Sequence, residues 1–408
     1  MEASTNLSKP GVPGSSYSSE SASDKSLLIP CVTDQITPPR TPNPDETIDQ
    51  KNNWKMAGQQ SILTWQGSYE LGEVLGSGAW SNVYAAINSS ALIKTQFRST
   101  TPPASPLGSR SEDTSPAVPS GVELKKGALL AIKTPIHKMA MPILKDEARI
   151  LSYIVKQPNS SDYVIEFYGE NIDTHALVFA RAERSLMDMI KTTLKNPLPT
   201  SLSQTDPITT LPIWLSTTRQ LISALTWLQS HNIIHSDLKP HNILSTTSGH
   251  LLVADFSSSF RLDPSQPFQP HSTDAITTRY ASPELLASYS ITSRAAAAAT
   301  SSSDSPPPRH PTFASDIWAL ACTLLVAATG SEPYTCAGSE MRRLAMARDG
   351  GVIDSYRNAD DWRVVMRVKR GGIVERIVAP ALVKKMGERI DCETWMGVVD
   401  EVAAEVGL

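Results

Sequence analysis

His235-Ser236-Asp237-Leu238-Lys239-Pro240-His241-Asn242 places a carboxylate, an ammonium and a carboxamide within one octapeptide. Asp237 stands five residues before Asn242, and a second carboxylate, Asp255, follows the apolar run Leu251 to Ala254. One carboxylate to accept or orient a hydroxyl proton, plus two oxygen ligands for magnesium, is what phosphoryl transfer needs. Lys239 would neutralise the transferring group. Upstream, the apolar run LLAIK ends on Lys133, and Glu147 lies in DEARIL beyond it. Together they fit a phosphate-holding ammonium steadied by a carboxylate; taken alone they fit an ordinary surface ion pair. GSGAWSNV, Gly76 to Val83, is a hairpin with few bulky side chains, so its backbone N–H groups can approach phosphates. By itself such a hairpin is far more often just a turn.

These residues need elements to position them. Tyr69 to Leu75 and Asn82 to Ile87 read as strands on either side of the glycine hairpin, and Ala128 to Thr134 as a third. Pro142 suits the first turn of a helix over Ile143 to about Val155, with Ile143, Leu144, Ile150, Leu151 and Ile154 on a shared face. Tyr163 to Tyr168 and Ala176 to Phe179 are further strand candidates. After Ser185 the pattern turns helical: Trp214 to Ser230 is amphipathic and Ile317 to Thr329 is apolar all round. A small β-rich lobe with one helix thus precedes a larger helical lobe.

Three stretches stand apart. Residues 1–65 are rich in Ser, Thr, Pro and Asn and predict a disordered tail. Residues 96–120 and a low-complexity run at about 295–311 read as insertions in a folded domain, where added loop length costs little. The Ser/Thr-Pro pairs beginning at Thr37, Thr41, Ser105 and Ser115 fall in these stretches; they fit sites for a proline-directed kinase, but the Pro- and Ser-rich composition is the preferred explanation.

The net formal charge of −4 over 408 residues gives no argument for nucleic acid or an anionic membrane surface. The apolar run Ile317 to Thr329 is 13 residues, too short for a bilayer. Cys31, Cys322, Cys336 and Cys392 form no CxxC pair, which argues against a zinc site or a disulfide framework and fits a reducing compartment. The polar, Ser-rich start lacks a signal-peptide pattern. The expectation is an intracellular protein, cytoplasmic or nuclear, with the oligomeric state left open.

With Ser282-Pro283-Glu284, Asp316-Ile317-Trp318 and Arg389 added in order, the chain resembles the eukaryotic protein kinases, over about residues 66 to 402. The resemblance implies an α+β bilobal fold: an N-lobe over 66–182 with the first insertion, and a C-lobe over 183–402 with the second. It implies ATP and Mg2+ as cofactors and proteins as substrates. It makes Lys133 and Glu147 an ion pair, Asp237 the catalytic base aided by Lys239, and Asn242 and Asp255 the metal ligands. Gly76, Ser77, Gly78 and Ala79 would cover the phosphates. Val83, Ala131 and Leu244 would enclose adenine, Phe179 would guard the back pocket, and Ala180 to Ala182 would offer backbone hydrogen bonds. Leu151, Phe167, His235 and Phe256 would stack between the lobes, Asp316 would hold the catalytic loop, and Arg389 would pair with Glu284.

Lys239 and Thr277 resemble the serine/threonine branch. The chain departs from the family at Ser81 in the glycine loop, at Ser236 before the base, and at Ser257 after Asp255-Phe256. In the family an arginine at the Ser236 position receives a phosphate on the activation segment, so its loss predicts weak dependence on phosphorylation there. Two further readings share the fold: a pseudokinase scaffold and a small-molecule kinase. The first generally lacks one of Lys133, Glu147, Asp237, Lys239, Asn242 and Asp255, and the second generally lacks the set of Ser282-Pro283-Glu284, Asp316 and Arg389; all are present here.

Overall fold

The computed structural model describes residues 61–90, 94–99, 124–196, 204–262, 277–289 and 310–408. Residues 1–60, most of the first insertion and nearly all of the second, with the four Ser/Thr-Pro pairs, lie outside the described residues.

The N-terminal half is a seven-stranded sheet with one helix against it. In chain order its strands are β1 (Ser61–Gln66), β2 (Tyr69–Ser77), β3 (Ser81–Asn88), β4 (Lys94–Ser99), β5 (Leu129–Pro135), β6 (Phe167–Asn171) and β7 (Leu177–Ala180). They lie side by side as β2-β3-β5-β7-β6-β1-β4. The β3/β5 register sets Val83 opposite Lys133, which brings the glycine hairpin over the lysine. Helix α1 (Met141–Ile154) follows β5. Pro142 sits in its first turn, and buried Leu144, Ala148, Leu151 and Ile154 recur at the helical spacing of three and four.

Three expectations are corrected here. Residues 61–65, expected in a tail, and 96–99, expected in an insertion, are strands of the sheet. β1 runs parallel to β6 and antiparallel to β4, and Ile62, Leu63, Thr64 and Trp65 are all buried. The strand expected over Tyr163 to Tyr168 begins only at Phe167. Residues 163–165 are held by Val253 instead: its N–H donates to Tyr163 O at 2.8 Å, and Ile165 N–H donates to its carbonyl at 3.0 Å.

The C-terminal half begins with β8 (Arg184–Ser185), α2 (Leu186–Lys195) and α3 (Leu211–Ser230), followed by β9 (Ile233–Ile234), β10 (Ile243–Ser245), β11 (Leu251–Val253) and β12 (Phe260–Arg261). Then come α4 (Pro283–Tyr289), α5 (Phe313–Thr329), α6 (Glu340–Asp349), α7 (Val352–Arg357), α8 (Trp362–Arg367), α9 (Ile373–Val378) and α10 (Cys392–Glu405). Buried on every side from Ser315 to Thr329, α5 is the axis of this lobe. Thr312 and Ser315 form its capping box, and Gly330 ends it in a left-handed turn (φ 76°). Trp214 on α3 donates its indole N–H to Leu324 O at 3.0 Å, tying α3 to α5. The short ladders β8-β10-β11 and β9-β12 bracket the octapeptide that carries Asp237.

Candidate active site

The octapeptide lies between β9 and β10, and its backbone is held from below by α5. Asp316, in the first turn of α5, accepts the His235 N–H at 2.7 Å and the Ser236 N–H at 2.9 Å. Those two bonds support Ser236 in a left-handed conformation (φ 71°), which a serine adopts only when its surroundings impose it. His235 is fully buried, with its ring edge-on to Phe256 at 4.9 Å between centroids. Its Nε2 lies 3.0 Å from Ala254 O, and its Nδ1 accepts the Asp237 N–H at 3.3 Å. One ring nitrogen donates and the other accepts, so the ring is neutral, and burial lowers its pKa in the same sense.

Asp237 is clamped on one oxygen and free on the other. Oδ2 takes the Lys239 ammonium at 2.6 Å and the Asn242 amide at 3.2 Å. Oδ1 is buried and has no hydrogen-bond partner among the described residues. Such an atom is costly unless a ligand completes it. Lys239 also donates to Thr277 Oγ1 at 3.0 Å, joining the base to the far end of the activation segment. Burial opposes the Lys239 charge, but the adjacent Asp237 outweighs it and the pKa rises.

Across the cleft, Lys133 serves two carboxylates. Its Nζ lies 2.8 and 2.7 Å from the Glu147 oxygens and 2.7 Å from Asp255 Oδ1. Burial would lower the Lys133 pKa, yet Asp255 and Glu147 carry it above the ordinary ammonium range. Two anions sharing one cation leave an excess negative charge. Burial, with the Asp255 charge added, pushes Glu147 up to about 7 against the pull of Lys133. Although burial works the other way, Lys133 and Lys239 hold Asp255 well below the carboxylate range. The Phe256 N–H donates to Glu147 at 3.2 Å, so Asp255-Phe256 and α1 are directly coupled.

All the expected polar residues therefore meet in one cleft: Lys133, Glu147 and Asp255 on one wall, Asp237, Lys239 and Asn242 on the other. Asn242 donates to Asp237 O at 2.9 Å, which orders the loop and turns its side chain toward the cleft residues. Val83, Ala131 and Leu244 are each partly exposed, as the lining of an open cleft should be. At the hinge the Ala180 N–H is taken by Glu166 O at 2.9 Å and the Arg181 N–H by Leu129 O at 3.4 Å. The Ala182 N–H is the one of the three without a partner among the described residues, so the offer to adenine narrows to that group. Leu151, Phe167, His235 and Phe256 are all buried. Arg389 grips Glu284 with both guanidinium nitrogens at 2.6 Å.

The site also fits the phosphates and the metal that the residues imply. No atom lies within 4 Å of a Cβ built on Gly76, and at Gly78 the nearest is Ser81 O at 3.7 Å. Among the described residues the hairpin thus leaves open space beside its backbone, in which phosphates would fit. Carboxylate and carboxamide oxygens are the hard donors that a divalent cation bound to phosphates prefers.

Sequence reasoning missed one polar contact. Ser257 donates its hydroxyl to Asp255 Oδ1 at 2.8 Å, and Asp255 is left-handed (φ 62°). The substituted glycine position thus holds the carboxylate. An oxygen two residues after an aspartate was the available signal.

The family description "Protein kinase domain" matches residues 114–394, more than half of the sequence. The chain belongs to the protein kinase family. Its fold, with a β-rich N-lobe and a helical C-lobe, agrees with that membership. The match starts after the glycine hairpin, which the long β3–β5 connection separates from Lys133 in sequence and the sheet restores in space. Among relatives, the chain is 29 % identical over 181 residues to a probable cell division protein kinase of Encephalitozoon cuniculi, covering 44 % of this chain and 59 % of that protein. It is 32 % identical over 123 residues to human 3-phosphoinositide-dependent protein kinase 1, covering 30 % and 18 % of the two chains. It is 33 % identical over 132 residues to the yeast serine/threonine-protein kinase PKH3, covering 29 % and 12 %. The kinase thus matches under two thirds of each of these relatives. Among the described residues no helix is long and apolar enough to cross a membrane.

Proposed function

We propose that this kinase is active and that it transfers the γ-phosphoryl of ATP to serine or threonine hydroxyls of other proteins. The observation that carries the reading is the Asp237 carboxylate: Oδ2 is fixed by Lys239 and Asn242, while Oδ1 is buried and unpartnered. An acceptor hydroxyl completes Oδ1, and the proton it loses goes to that oxygen as the new O–P bond forms and the β–γ bridging bond breaks. Lys133, held by Glu147, orients the phosphates. Lys239 neutralises the group in transfer. Asn242 and Asp255 would hold Mg2+, which when bound offsets phosphate charge. The backbone of Gly76 to Ala79 closes over the phosphates and restricts water.

The Lys239–Thr277 contact favours serine and threonine acceptors, and relatives such as the yeast serine/threonine-protein kinase PKH3 agree. The buried Glu284–Arg389 pair at the end of the activation segment favours a protein acceptor over a small molecule, since it braces a surface next to the cleft. The test is transfer from radiolabelled ATP to casein and to a peptide library, followed by phosphoamino-acid analysis. Label on serine or threonine is expected. Label on tyrosine alone, or on aminoglycosides or choline but not on peptides, would overturn the assignment.

A further inference from the structure

The two strands that extend the sheet beyond β6 lie next to the only α-helix of the N-terminal half among the described residues, and their contacts with it are specific. The Leu63 N–H in β1 donates to Ser152 Oγ on α1 at 2.8 Å. Ser152 is fully buried, and its own hydroxyl proton goes back one turn to Ala148 O at 2.6 Å. Just past the end of α1, Lys156 donates to Ser61 Oγ in β1 at 2.8 Å and stands over the Phe97 ring of β4 at 4.1 Å. Ile62 and Leu63 share the main core with Leu144, Ala148 and Leu151 of α1, while Trp65 enters the cluster on the opposite face of the sheet.

The seat for β1 is built into β6. Gly169 has φ +133°, and a Cβ there would stand 2.8 Å from Thr64 C, 2.9 Å from Trp65 N and 3.0 Å from Leu63 O. Only glycine allows the β1 backbone to approach this closely. β1 is therefore fixed on both sides: to the sheet through Gly169, to the helix through Ser152.

Glu147 neighbours Ala148, the residue whose carbonyl Ser152 holds. It reaches Lys133 only while α1 lies against the sheet. We propose that β1 is a built-in strap that holds α1 in the position where Glu147 meets Lys133, and that Ser152 is a positioning residue for the transfer reaction. The inference rests on the reading of Lys133 and Glu147 as the phosphate-orienting pair. It makes the assembled pair a property of this chain's own residues 61–66, independent of a partner or of a phosphate on the activation segment.

Hydrogen exchange tests it on the full chain. With Ser152→Ala the Leu63 N–H stays buried without a partner while α1 is docked but reaches water when α1 opens. The opening equilibrium should therefore shift by about tenfold. Amides of α1 and β1 should exchange about tenfold faster, and those of α3 and α5 should be unchanged. Ser152→Thr, which keeps the hydroxyl, should restore the wild-type rate. Should Ser152→Ala fail to fold, Lys156→Met, which removes the Ser61 bond, should accelerate the same two elements alone. Unchanged α1 exchange, or equal acceleration in α3 and α5, would overturn the strap. The readout does not depend on phosphoryl transfer, so a folded but inactive chain would refute the proposed function and leave this measurement valid.

Discussion

Loss of Arg389 should cost the fold heavily. Its guanidinium is 1 % exposed and makes two parallel bonds of 2.6 Å to Glu284, itself 9 % exposed. It also donates to Val383 O at 2.8 Å, to Ala314 O at 3.0 Å and to Lys384 O at 3.2 Å, and lies 5.0 Å from the centre of the Trp318 ring. Arg389→Ala leaves a buried carboxylate and three carbonyls without their donor. Breaking a buried pair from one side costs about 3–5 kcal/mol. That is a large share of the roughly 5–15 kcal/mol that stabilises a typical domain. With a urea m value of about 3 kcal/mol/M, the unfolding midpoint should fall by about 1–1.7 M. Arg389→Lys keeps the charge but not the fork and should fall in between. Glu284→Gln added to Arg389→Ala should recover part of the loss, because no unpaired charge then remains buried. Equilibrium unfolding followed by circular dichroism measures all three. A midpoint for Arg389→Ala within about 0.3 M of wild type would refute the reasoning, since it would mean that Glu284 finds another partner or water at no cost.

Other consequences follow from the cleft. Ser257→Gly removes the hydroxyl that holds Asp255 Oδ1, so kcat/KM for ATP should fall by about tenfold, the effect of roughly 1.4 kcal/mol; steady-state kinetics showing no change would assign the hold to Lys133 alone. Ser236 stands where the family keeps a phosphate-receiving arginine, so phosphatase treatment should leave activity within about twofold, and a phosphatase that abolishes transfer would contradict this. His235 is neutral in the fold and its pKa is depressed by burial. It therefore contributes stability present above about pH 6.5 and lost as the pH falls below it, by at most about 1.4 kcal/mol per pH unit. His235→Phe keeps an aromatic ring against Phe256 and cannot titrate, so its urea midpoint should fall less on acidification from pH 7 to 5 than that of wild type.

The residues that meet in the cleft were legible because each is set by short-range pattern. Asp237, Lys239 and Asn242 share one loop, Asp255 follows one strand by two residues, and Lys133 lies near the end of another. The strands on either side of the glycine hairpin and the helices α1, α3 and α5 follow from local apolar spacing in the same way. β1 was not legible. Its residues pair along both edges with β4 and β6, which lie about 30 and 100 positions away, and nothing in SILTWQ announces those neighbours. The lower boundary of β6 failed for a related reason, since Tyr163 and Ile165 carry apolar side chains but bond to Val253 in the other lobe. The role of Ser152 was hidden as well, because a serine reads as a surface residue until the fold shows what its hydroxyl reaches.

Asp237→Asn in a transfer assay with Mg2+ and ATP tests the central claim most directly. The amide keeps the shape of the carboxylate and cannot take a proton at Oδ1. With ATP binding retained, as measured by calorimetry, kcat should fall by about 100- to 10,000-fold. Transfer at the wild-type rate by a folded Asp237→Asn protein would contradict the account, because the unpartnered oxygen would then have no part in the reaction.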